Sequence, residues 1–271
     1  MDGKAVRVRF EGHLAEVELL GPGKGNAMGP DLWRELPQAM AAVNAHGEAR
    51  AAVLYGKGDH FTYGLDLPGM MGELGPHLTG GKAAQRLQLL GLIEELQGAI
   101  QAVADSRVPV VSALWGWCIG GGIDLVCATD VRVAAADARF SVRETRIAMV
   151  ADLGTLQRLP RVVGPGHARQ LAYTGEDIDA DRALRIGLVN DVLPDAAATL
   201  AHARQLASRI AENSPLAVQG AKKVMDWSAD RPVKDGLDYV AAWNAAFLAS
   251  DDLGEAMQAF LEKRAPVFRG R

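Results

Sequence analysis

Apolar and polar positions alternate along residues 14–20: Ala15, Val17 and Leu19 point one way, and Leu14, Glu16, Glu18 and Leu20 the other. That period of two belongs to a strand with one buried face. Val6 to Phe10 reads as a second strand, joined to the first through the turn Glu11-Gly12-His13. Pro30 and Asp31 suit the first turn of a helix running to about Ala45, with Leu32, Trp33, Leu36, Met40 and Val43 as its apolar positions. Ala51 to Tyr55 is continuously apolar, as in a strand buried on both faces. Leu87, Leu90, Ile93, Leu96, Ile100 and Val103 recur at helical spacing and predict a long amphipathic helix from Ala83 to about Ala104. Between these elements, 56–67 reads as a loop. Residues 68–82, glycine-rich with two prolines, read as a mobile segment or lid.

Val108 to Leu114 is a further buried strand, and Ile123 to Thr129 has helical spacing. Between them lies Gly116-Trp117-Cys118-Ile119-Gly120-Gly121-Gly122, so three glycines sit where a strand turns into a helix. Strands follow at Asp130 to Ala134 and Ala138 to Ser141. Helices are expected at Leu153 to Val163, His167 to Tyr173 and Asp179 to Ile186, the last with Asp179 as its cap, and then a strand at Leu188 to Leu193. Beyond Pro194 only helical patterns remain, over roughly 195–213, 215–228, 233–249 and 251–264. The chain thus divides into an α/β core over 1–194 and a helical part over 195–271.

Composition narrows the function. A net charge of -4 gives no basic field for nucleic acid. No apolar run is long enough to span a bilayer. The two cysteines, Cys118 and Cys127, lie among apolar residues and read as packing residues, which fits a reducing, cytoplasmic setting. No charged-then-apolar leader opens the sequence, and Phe268-Arg269-Gly270-Arg271 is not a peroxisomal address. Paired-cysteine and His-Glu-x-x-His motifs are missing, so no metal is expected. The glycine-rich loop at 21–26 matches neither the dinucleotide fingerprint nor the phosphate-binding loop of nucleotide hydrolases, and there is no Gly-x-Ser-x-Gly elbow.

The carboxylates are more informative. Asp124 follows the glycine turn, Glu144 follows the strand at Phe140, and Asp152 stands beyond the apolar run Ile147-Ala148-Met149-Val150-Ala151. Acids among apolar neighbours have raised pKa values unless a cation is near, and acids sharing a pocket can split into a proton donor and a proton acceptor. Spacing alone leaves plainer readings open. Asp152 could cap the next helix, Glu144 could pair with Arg143 or Arg146, and Asp124 could be an ordinary first-turn helix acid.

The stretches Asn26-Ala27-Met28, Phe61 to Leu67, Cys118 to Leu125, Phe140 to Glu144, Asp152 to Pro160 and Glu262 to Phe268 resemble, in order and spacing, the crotonase (enoyl-CoA hydratase/isomerase) superfamily, over nearly the whole chain. The resemblance implies a crotonase, ClpP-like spiral of ββα units with a C-terminal helical trimerisation region, assembled as a homotrimer or dimer of trimers. It implies an acyl-CoA thioester substrate and no separate cofactor. The backbone N–H groups of Leu65 and Gly121 would grip the thioester oxygen, with Lys24, Ala27, Tyr63, Gly64, Asp66, Leu67 and Gly120 around the substrate. Lys24 is the first choice for a CoA phosphate, ahead of Lys57 and Lys263. Residues 68–82 would line the acyl pocket.

Within the superfamily, hydratases typically carry Glu at the positions of Asp124 and Glu144, and Gly at that of Asp152. The set Asp124, Glu144, Asp152 instead resembles Δ3,5-Δ2,4-dienoyl-CoA isomerase. That resemblance implies Glu144 as base at C2, Asp152 as proton donor at C6, and Asp124 as an orienting acid. The alternatives are an enoyl-CoA hydratase or broad hydratase/isomerase, and a non-catalytic acyl-CoA-binding scaffold.

Overall fold

The computed structural model describes residues 1–21, 23–78 and 82–271. Its first strands, β1 (Val6–Glu11) and β2 (Leu14–Leu19), form an antiparallel hairpin with Val8 opposite Val17. The alternation in β2 is realised: Ala15, Val17 and Leu19 are fully buried. Helix α1 (Pro30–Ala45) crosses to β3 (Ala51–Gly56), which lies parallel to β2. Helices α2 (Leu67–Leu78) and α3 (Ala83–Ala104) lead to β4 (Val110–Leu114), parallel to β3. Next come β5 (Trp117–Ile119), α4 (Gly121–Cys127), β6 (Val131–Ala135) and β7 (Arg139–Ser141). A 3-10 turn (Glu144–Ile147) precedes α5 (Thr155–Val163), α6 (Pro165–Thr174), β8 (Asp177–Asp179), α7 (Ala180–Arg185) and β9 (Asp191–Leu193). Four helices complete the chain: α8 (Ala196–Ala211), α9 (Pro215–Ser228), α10 (Val233–Phe247) and α11 (Asp251–Glu262).

Two sheets result. The larger has the order β1-β2-β3-β4-β6-β9, and the smaller β5-β7-β8. Strand β3 is buried on both faces, which is why it is apolar throughout. Ala52 and Leu54 join the main core with α1 and α3. Ala51, Val53 and Tyr55 form a second apolar layer with Ala203 and Ala207 of α8. The last helices are tied back by polar contacts. Lys222 of α9 reaches Asp130 at 2.7 Å, while the other oxygen of Asp130 accepts the Val110 N–H. Buried Asp252 of α11 accepts the N–H groups of Arg269 and Gly270.

One segment is more regular than expected. Most of 68–82, read as a mobile segment, is helix α2; residues 79–81 lie outside the described residues. Pro68 falls in the first turn, where its missing N–H costs nothing. The Asp66 carboxylate accepts the Gly69 N–H at 3.0 Å, and Met70 is fully buried. A capped start and one apolar anchor outweigh the poor helix propensity of the glycines. The strands β5 and β8 also went unpredicted. Each has three residues and draws its stability from neighbouring strands rather than from its own pattern.

Candidate active site

Three backbone segments lie side by side and create the site. Thr62 forms a parallel bridge with Cys118, and Met28 one with Leu65. Thr62 N–H donates to Trp117 O, and Ile119 N–H returns to Thr62 O. Met28 N–H donates to Gly64 O at 2.7 Å, and Asp66 N–H to Met28 O at 3.1 Å. Asn26 is the pin: its buried side-chain amide donates to the carbonyls of Lys57 and His60 at 2.7 and 2.8 Å, and its own carbonyl accepts the Thr62 hydroxyl at 2.6 Å. Tyr63 stacks on His60 and hydrogen-bonds it at 3.0 Å.

This stacking brings the turn at Gly64-Leu65 against the turn at Gly120-Gly121. Gly64 has φ +80°, and a Cβ there would stand 2.5 Å from Ile119 O and 3.4 Å from Gly121 N. Only glycine permits that approach. Gly121 opens α4, where a first-turn N–H has no partner within the helix. Among the described residues, neither the Leu65 N–H nor the Gly121 N–H is given to a protein acceptor. Ala27 precedes Met28, which bridges Leu65; Tyr63 is half-buried and Lys24 is exposed. The Asp66 carboxylate is engaged in capping α2, and Leu67 is the exposed first residue of that helix.

The three acids converge beside the same turns. Asp124, on α4, is buried, and its Oδ1 accepts the Thr155 N–H at the start of α5, at 2.6 Å. Burial pushes its pKa up to about 6; the Thr155 hydrogen bond pulls it down and the charge of Asp152 adds to the rise. Glu144 lies against Gly120, where a Cβ would stand 3.2 Å from Glu144 Oε1. Its Oε2 is buried with no hydrogen-bond partner among the described residues. Burial pushes its pKa up to about 7, and the charges of Asp124 and Asp152 push the same way. Asp152 is half-buried, with its pKa also raised by burial.

Asp124 is a first-turn acid of α4, as the plainer reading has it, while the plainer readings of Glu144 and Asp152 fall away on geometry: among the described residues Glu144 forms no ion pair with Arg143 or Arg146. Arg143 pairs with Asp177 and stacks over Trp117, so it does not neutralise Glu144. Asp152 does not cap α5: the N-cap is Gly154, and Asp124 takes the Thr155 N–H. Cys118 and Cys127 are buried free thiols, their pKa values raised by burial. Among the described residues no group of three or more His, Cys, Asp or Glu side chains is placed to hold a metal.

Sequence reasoning missed the groups that hold the acids in place. Gln97 of α3 donates to the backbone carbonyl of Asp152 at 2.6 Å, and Arg158 of α5 reaches Gln101 of α3 at 2.5 Å. The one signal was the i, i+4 spacing of Gln97 and Gln101, which is equally that of a solvated helix face.

Residues 9–271 match the family model described as "Enoyl-CoA hydratase/isomerase". The chain is 40% identical over 260 residues to a mitochondrial Δ3,5-Δ2,4-dienoyl-CoA isomerase of Dictyostelium discoideum, covering 94% of this chain and 87% of that one. It is 40% identical over 266 residues to a peroxisomal Δ3,5-Δ2,4-dienoyl-CoA isomerase of Arabidopsis thaliana, covering 97% and 95%. The crystal structure of an enoyl-CoA hydratase from Bacillus anthracis superposes with a TM-score of 0.89 at 29% identity, over 99% of this chain and all of that one.

Proposed function

The chain belongs to the enoyl-CoA hydratase/isomerase family, a family of enzymes with the crotonase fold, and we propose that its reaction is the isomerisation of a 3,5-dienoyl-CoA to the conjugated 2,4-dienoyl-CoA. The observation that carries this reading is the third acid. The charge of Asp152 raises the pKa of both Glu144 and Asp124, and burial raises its own. Neighbouring carboxyls whose pKa values are raised can divide into a base and a proton donor.

In the proposed mechanism the thioester oxygen sits between the N–H groups of Leu65 and Gly121. Glu144 takes a proton from C2. The electron pair spreads over the thioester oxygen and along the chain to C6, giving an extended enolate. Asp152 delivers a proton to C6, and the 2,4-diene remains. Preorganised donors aimed at the developing oxyanion contribute on the order of 3 kcal/mol each. Asp124 acts through α5: its bond to Thr155 holds the helix that follows Asp152. Lys24, Ala27, Tyr63, Gly64, Asp66, Leu67 and Gly120 bind or shape the substrate, Asp66 through its cap on α2. This chemistry needs no cofactor beyond the coenzyme A of the substrate.

Hydration of a trans-2-enoyl-CoA is the second reading, supported by the free oxygen of Glu144, which can hold a water, and by the fold shared with the Bacillus anthracis hydratase. Asp124 tells against it. Its Oδ1 is spent on Thr155, and it is one methylene shorter than the Glu that typically holds the water with Glu144. Exposed Phe260 and Leu261 of α11 support association between chains, which we propose to be a homotrimer or dimer of trimers. No described helix is long and apolar enough to cross a membrane. The two isomerase relatives are named for mitochondria and peroxisomes, and a cytoplasmic site for this chain remains part of the proposal.

Asp152→Asn tests the assignment. It keeps the volume and removes the transferable proton, so dienoyl isomerisation should fall by about a thousandfold, the scale of general acid catalysis. Unchanged turnover would remove Asp152 from the mechanism.

A further inference from the structure

The turn Asp152-Leu153-Gly154 belongs to no helix or strand, yet it carries the acid proposed to reach the far end of the substrate's diene. From inside, Asp124 holds the residue after this turn through the Thr155 N–H. From outside, side chains of α3 and α5 take hold of the turn itself. Gln97 Nε2 donates to Asp152 O at 2.6 Å. Arg158 Nη1 donates to Leu153 O at 3.5 Å, and its Nη2 to Gln101 Oε1 at 2.5 Å. Gln101 Nε2 in turn donates to Asp105 at 2.8 Å, which fixes the amide with its oxygen towards Arg158. The guanidinium lies on the α-carbon of Gly154, where a Cβ would meet Nη1 at 1.9 Å. These side chains line one wall of an open cleft of about 950 Å³ that runs between α3, α5 and α9. Neither Glu144 nor Asp124 lines that cleft.

From this geometry we infer that Gln97, Gln101 and Arg158 are positioning residues for Asp152. They strap its turn to α3 and set where the second proton is delivered. The inference rests on the proposed roles of Glu144 and Asp152. The strap touches backbone carbonyls rather than the acid itself, so it acts on placement. A group displaced by about 1 Å can lose about a hundredfold in rate. Loosening the strap should therefore impair protonation at C6 while leaving proton removal at C2 intact, because Glu144 stands on a separate turn against Gly120.

The experiment follows both protons in one reaction. Wild type, Gln97→Met, Arg158→Met and Asp152→Asn are each given a 3,5-dienoyl-CoA in D₂O. Exchange of the C2 hydrogens in recovered substrate is compared with formation of the 2,4-diene. An enolate that cannot be protonated at C6 returns to C2, so the ratio of exchange to isomerisation reports the second acid alone. Partial unfolding lowers both rates together and leaves the ratio unmoved. Gln97 is exposed, so its variant keeps the test open if Arg158→Met folds poorly. The ratio should rise at least about tenfold in Gln97→Met and more in Arg158→Met, with KM little changed. An unchanged ratio in both variants, with Asp152→Asn impaired, overturns the strap and leaves the acid assignment standing. Full isomerisation by Asp152→Asn overturns the acid assignment and the strap with it.

Discussion

At Asp124 the fold bears an electrostatic cost. The carboxyl is buried, and its pKa rises from 3.8 to about 6. Between about pH 4 and about pH 6 the native state holds a proton that the unfolded chain has released. Stability therefore falls as pH rises through that window, and the cost is fully present above it. Asp124→Asn keeps an acceptor for Thr155 and removes the charge. It should stabilise the protein at about pH 7.5 by up to about 3 kcal/mol, from a shift of about two units, and flatten the decline below about pH 6. Denaturant unfolding across pH checks this, and a variant less stable than the parent above pH 6 would contradict it. Glu144 gives the matching prediction for activity. Isomerisation should rise as Glu144 ionises near pH 7. Glu144→Gln should remove the rising limb along with most of the activity. The acids were legible in sequence as three candidates among apolar neighbours. What separates them from helix caps and ion pairs was not, because that depends on where Arg143 and Thr155 end up, and both are placed by distant segments.

At the scale of elements, the site depends on two glycine turns pressed together. Gly64→Ala would force a side chain onto Ile119 O at a positive φ and push the Leu65 N–H out of line. Turnover should fall by about a hundredfold or more while the far-ultraviolet circular dichroism spectrum is retained, since the rest of the fold does not pass through this contact. Full activity would show that the two turns do not cooperate. The long elements were readable: β2 from its alternation, α3 from its spacing and β3 from its unbroken apolar run. Helix α2 was not, because Gly69, Gly72 and Gly75 disguise it, and its cap at Asp66 and anchor at Met70 matter only once α3 is in place. The strands β5 and β8 were missed because three residues cannot show a period.

At the scale of the molecule, the C-terminal helices leave large apolar side chains in water. Phe260 is 81% and Leu261 78% exposed, and Val233 on α10 is 80% exposed. Exposed apolar side chains of this kind fit the proposed interface between chains. Replacing Phe260 and Leu261 together by Glu should shift the assembly towards monomer in light scattering; an unchanged mass would place the interface elsewhere. The sequence showed that these helices form a separate run. It could not show which of their apolar faces stay uncovered, since that is decided by how α9, α10 and α11 pack on the core. The account as a whole turns on the reaction. One purified sample should be assayed against a 3,5-dienoyl-CoA and against crotonyl-CoA. Formation of the conjugated 2,4-diene, much faster than hydration of crotonyl-CoA, is the result predicted here. Efficient hydration with no diene formed would contradict it.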